Sequence, residues 1–150
     1  MKPVRILGIG SPSGDDQAGW LVIDALHALG CANGKGVVAG KLDRPGAGLV
    51  ALLEDAEHAI LVDAMQSGAP PGTLHCVNPA DGPLPVAELS SHGFGVLAAL
   101  ALAQALGSLP RRVEVYGIEI ASAQPGDAVS APVRSAIHAL AGRIAVTACA

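Results

Sequence analysis

Val4-Arg5-Ile6-Leu7-Gly8-Ile9-Gly10-Ser11-Pro12-Ser13-Gly14-Asp15-Asp16 is an apolar run that passes into a glycine-punctuated turn and ends on two adjacent carboxylates. The pattern is that of a buried strand feeding a helix. Such turns commonly cradle phosphates, because the free N–H groups and dipole of the following helix attract anions. Here the position is already negative. Two unit charges about 5 Å apart repel by roughly 3 kcal/mol at an effective dielectric near 20, so the turn is poorly suited to a pyrophosphate and well suited to a cation.

Working outward from this turn, strand-like and helix-like segments alternate. Strands are predicted over residues 4–9, 36–42, 59–64, 73–78 and 112–120, and helices over 16–29, 47–55, 93–106 and 131–148. In the first helix Gln17, Asp24 and His27 share one narrow polar face, and Gly30 is a good terminator. This alternation implies one α/β domain spanning residues 1–150, a three-layer α/β/α stack on a mostly parallel five-stranded sheet. One connection departs from the pattern. Only residues 65–72, rich in Gly and Pro, separate the third and fourth strands. A parallel crossover needs a dozen or more residues, so the fourth strand is expected to run antiparallel at an edge.

Composition narrows the partners. The chain has 150 residues, of which 51% are hydrophobic and only 2% aromatic, so the core must be made of Ala, Val, Leu and Ile. A formal charge of −4, with Arg111-Arg112 as the only adjacent basic pair, argues against nucleic acid or an anionic membrane. Cys31, Cys76 and Cys149 form no CxxC pair and read as reduced, buried thiols of a cytosolic protein. No secretory signal is expected, because the apolar run after Lys2 is short and soon meets Asp15. Residues 89–110 carry no Asp, Glu, Lys or Arg, but they hold several Ser and Gly and are rich in alanine, which suits a buried helix better than a membrane span.

The candidate chemistry lies at strand ends. In a doubly wound sheet the ends of strands one and three flank the switch point where ligands bind, so Asp16 and Asp63 should converge. Asp15 and Asp16 also suit helix capping, and capping is the preferred reading for Asp15. Asp63 closes the apolar run Ala59-Ile60-Leu61-Val62, where a charge needs a cation or donors. His92, just after Ser90-Ser91, falls in the first turn of the uncharged helix. His27, His58, His75 and His138 receive no role. Glu119 is a lesser candidate for the rim of the crevice, with a solvated strand end as its simpler explanation. Two carboxylates and one imidazole make an N/O ligand set suited to a divalent transition metal such as nickel or zinc. HExxH and GxSxG motifs are absent. Gly8-Ile9-Gly10 with Asp43 imitates half of a dinucleotide fingerprint, but Gly14 comes one place late and Pro12 interrupts the turn.

Together, Gly8-Ile9-Gly10-Ser11-Pro12, Gly14-Asp15-Asp16, Gly19, Leu61-Val62-Asp63-Ala64, Ser91-His92 and Gly117-Ile118-Glu119 resemble the hydrogenase maturation endopeptidases. That resemblance implies a phosphorylase/hydrolase-like sheet with one antiparallel strand. It also implies an aspartyl-type, metal-dependent endopeptidase of the cytoplasm that trims the C-terminal extension of a nickel–iron hydrogenase large-subunit precursor. Asp16, Asp63 and His92 would be its catalytic and metal-binding trio, and the nickel would be carried by the substrate. The chain departs from the family pattern at Ser11, often Asn, and at Gln17, usually Gly, where it forfeits a flexible backbone position. At Asp16 many relatives carry Glu. A non-catalytic nucleotide-binding module and a nickel-delivery chaperone are the alternatives.

Overall fold

The computed structural model describes residues 3–31, 36–43, 45–82, 84, 95–121 and 124–148. The opening motif forms β1 (Val4–Gly10), a 3-10 turn (Gly14–Gln17) and α1 (Ala18–Ala28). There follow β2 (Val37–Asp43), α2 (Gly48–Glu54), β3 (His58–Met65) and β4 (Leu74–Val77), then α3 (Val96–Ala105), β5 (Arg112–Glu119) and α4 (Ala131–Ala148). The sheet order is β2-β1-β3-β5-β4. Neighbouring strands are parallel except β4, which runs antiparallel to β5, as the short link after β3 requires.

Apolar side chains leave the sheet on both faces, which is why helices cover both. Ile6, Ile60, Val62 and Ile118 meet α1 and α4 on one side. Leu7, Leu61, Met65 and Val115 meet α2 and α3 on the other. All eight residues of β3 are buried, whereas the edge strand β2 alternates between half-buried and exposed. In α3, Leu97, Leu100 and Ala103 are fully buried. Among the described residues no helix is long and apolar enough to cross a membrane.

The glycines of the opening motif serve packing. A Cβ on Gly8 would lie 2.2 Å from the Gly19 carbonyl oxygen, and one on Gly19 would lie 2.2 Å from that of Ile9. Gly8 admits the backbone of α1 and Gly19 admits that of β1, so α1 presses directly on β1. The indole of Trp20 then donates to the Leu42 carbonyl at 2.9 Å and ties the start of α1 to the end of β2.

Two expectations are corrected here. Gln17 lies in ordinary right-handed helical backbone, so no glycine is needed there, and its side chain donates to the Gly14 carbonyl at 3.0 Å. The cysteines are not uniformly reduced and buried: Cys31 is disulfide-bonded, while Cys76 is free but exposed. Spacing along a chain does not show which thiols meet in space or which face of an edge strand they occupy.

Candidate active site

β1 sits between β2 and β3, so the chain leaves it in one direction and later returns on the other side. The crevice opened by that reversal lies over the carboxyl ends of β1 and β3. It holds a cavity of about 550 Å³ bounded by the turn after β1, the end of β3, and the starts of α2 and α3. Ile9, Leu49, Met65, Val96 and Ala99 give it largely apolar walls, and Asp16 and Asp63 both line it. The expected convergence of these two acids, 47 positions apart in sequence, is what the fold produces.

The two carboxyl groups are held differently. Asp16 is half-buried, and its Oδ2 accepts from the Ser11 hydroxyl at 2.5 Å. The Ser13 N–H approaches the Ser11 oxygen at 3.4 Å, which directs the Ser11 proton toward Asp16. Asp63 lies two residues inside β3 rather than at its end. It is only 7% exposed, and its Oδ1 accepts from the Ala64 N–H at 2.8 Å. The Asp63 carboxyl is pushed up to about 8, chiefly by burial, with the Ala64 bond pulling it down in part and the charge of Asp16 adding to the rise. A buried acid beside a second acid favours a proton or a cation. The donor set of two carboxylates suits a divalent ion.

His92, the third expected member, lies outside the described residues. Among the described residues no group of three His, Cys, Asp or Glu side chains is arranged to hold a metal.

Asp15 is not a helix cap. It is 1% exposed, and the 3-10 turn that contains it has no side-chain cap bond. Its carboxylate accepts from the Ala121 N–H at 2.9 Å, the Ser130 N–H at 2.7 Å and the Ser130 hydroxyl at 2.8 Å. It therefore fastens the β1 turn to the end of β5 and the start of α4. Glu119 is not a solvated strand end either. It is 1% exposed and accepts from the Ser67 N–H at 2.7 Å, the Ser67 hydroxyl at 2.5 Å and His75 Nε2 at 3.2 Å. Burial alone would push its carboxyl up, but the Ser67 donors and His75 outweigh that and hold it below the usual range. Both latches join residues more than 40 positions apart, so local pattern held no signal for them, and adjacency to Asp16 hid the separate task of Asp15.

The cleft over the switch point of this mixed sheet is acidic and apolar-walled, and Gly8 and Gly19 are spent on helix–strand contact rather than on a phosphate cradle. The family model described as hydrogenase maturation protease matches residues 45–146, more than half of the chain, and this stretch includes Asp63 and His92 but not Asp16. The chain belongs to the hydrogenase maturation protease family, whose members are endopeptidases.

Solved structures agree with the fold. The hydrogenase-maturating endopeptidase HybD from E. coli is 19% identical with a TM-score of 0.78, over 97% of this chain and 91% of that one. The hydrogenase 2 maturation peptidase from a Thaumarchaeota archaeon is 28% identical with a TM-score of 0.71, over 97% of both chains. The maturation protease HycI from Thermococcus kodakarensis is 21% identical with a TM-score of 0.74, over 99% of this chain and 94% of that one. No curated protein sequence is similar enough to match the chain.

Proposed function

We propose that this cytoplasmic protease removes the C-terminal extension of a nickel–iron hydrogenase large-subunit precursor after nickel insertion, and that Asp16, Asp63 and His92 dock on the nickel carried by that substrate. The observation that supports this most is the pairing of two acids on one cavity, one of them buried and pushed up to about 8. Gly95 and Val96 line the same cavity, and His92 precedes them closely in the chain.

Each acid already has one oxygen engaged, by Ser11 or by Ala64. That fixes its orientation and leaves the second oxygen for the substrate's cation. Docking sets the precursor's tail along the apolar walls, so the scissile bond is held at the acids before any covalent change. In the free protein burial favours the protonated Asp63 carboxyl, and the charge of a docked cation would take the place of that proton.

The test is incubation with nickel-loaded and nickel-free precursor, read by the mass of the precursor. Loss of the extension only from the loaded form is expected, with Asp16→Asn, Asp63→Asn and His92→Ala all inactive. Binding of the loaded precursor without cleavage would replace the protease with a nickel-delivery chaperone. Normal processing by any of the three variants would remove that residue from the site.

A further inference from the structure

The short link from β3 to β4 leaves from the edge of the cleft, and the peptidase reading gives it no task. Its first residue, Gln66, is exposed and lines the cavity next to Met65. Of the described residues that line this cavity, only Asp16, Asp63 and Gln66 carry a nitrogen or oxygen in the side chain. When ionised the acids only accept hydrogen bonds, whereas the Gln66 carboxamide both donates and accepts. That is the complement of a peptide bond, which offers one N–H and one C=O.

The backbone beneath Gln66 is fixed. Glu119 takes both donors of Ser67, the next residue along. At the far end of the link the Gly72 N–H donates to the Glu119 carbonyl at 2.8 Å, and the Glu119 N–H donates to that of Thr73 at 2.9 Å. Gly72 has φ +91°, and a Cβ there would lie 2.6 Å from the Pro132 carbonyl, so α4 closes on the link as well. The backbone that carries this exposed side chain is therefore pre-ordered for contact with a partner.

We propose that the Gln66 carboxamide binds the main chain of the precursor's tail at the mouth of the cleft, beside the bond to be cut, and that Glu119 acts through Ser67 as a positioning residue for it. This rests on the peptidase reading of the same cleft. A main-chain contact holds an extended segment in register whatever its side chains, which a protease acting on a tail requires.

Steady-state processing of nickel-loaded precursor tests the proposal. For Gln66→Ala, KM should rise about 5- to 10-fold, the loss of about one hydrogen bond, with kcat within about twofold and the unfolding midpoint unchanged. A wild-type KM, whatever kcat does, overturns the proposal. A precursor whose flanking amide is replaced by an ester should lose a similar factor with the wild-type enzyme and nothing further with Gln66→Ala; equal losses with both overturn the main-chain assignment. Ser67→Ala should raise KM in the same direction by less, and a wild-type value there removes Glu119 from the scheme. Asp63→Asn, run in parallel, separates the two readings. Full processing by that variant sinks the peptidase site itself, independently of the KM of Gln66→Ala.

Discussion

Both ends of the sheet hold acids, and one of them, Asp63 at the carboxyl end, is held unlike the rest. At the amino end, Glu114 on β5 is bonded to His58 Nε2 at 2.6 Å and accepts from the Tyr116 hydroxyl at 3.1 Å, while Arg143 lies over the Tyr116 ring at 5.4 Å. The Glu114 carboxylate thus has two partners close by. At the carboxyl end, Asp15 and Glu119 are just as well served, with three donors each. Asp63 has one neighbouring N–H and a second acid for company. A buried carboxyl left in that condition weakens the native state unless something outside the chain completes it. On the proposed function, the contrast separates acids that build this fold from the acid that meets the substrate.

The contrast is sharpest at Asp63. Its carboxyl moves from an ordinary value of 3.8 to about 8 on folding, so the native state binds a proton that the unfolded chain has released. The stability from that proton is full below the unfolded value and is lost as pH rises through about 8. Asp63→Asn should therefore abolish processing and stabilise the protein at pH 8, by up to about 5 kcal/mol at roughly 1.4 kcal/mol per unit. Chemical denaturation between pH 5 and 9 checks this, and a less stable Asn variant at pH 8 would erase the distinction between Asp63 and the well-bonded acids.

Asp15→Asn should act in the opposite sense. Putting an amide against three donors disrupts the latch to Ala121 and Ser130, and stability should fall by about 3 kcal/mol at neutral pH. Denaturant midpoints of the variant measure this, and an unchanged midpoint would return Asp15 to a minor role at the helix start.

Glu114→Gln should have the smallest effect. The amide still bonds to Tyr116 and His58, so stability should drop by only about 1 kcal/mol with processing untouched. A processing defect in that variant would show that the amino end is coupled to the cleft.

Much of the architecture was readable in advance because it follows from local pattern. Residues 131–148 were bounded correctly as a helix, and the eight-residue link after β3 required the antiparallel β4. Boundaries drifted where backbone geometry intervened. Gly14, at φ +51°, opens a separate 3-10 turn, so α1 starts at Ala18 rather than at 16. The meeting of Asp16 and Asp63 was legible because strand order alone dictates it. The tasks of Asp15 and Glu119 were not, since their partners Ala121, Ser130 and Ser67 are brought to them only by the closed sheet. Likewise, the glycines of the opening motif look alike in sequence, and only the approach of α1 to β1 shows that Gly8 and Gly19 are matched.

Trp20 is the only tryptophan in the chain, and its ring lies where a Cβ on Gly10 would come within 3.4 Å of it, below the turn that carries Asp16. The one indole of the chain thus lies beside Gly10, at the turn that leads to Asp16. Emission excited near 295 nm comes from this one position, so quenching or a spectral shift on mixing with precursor would time the arrival of cargo without any added dye.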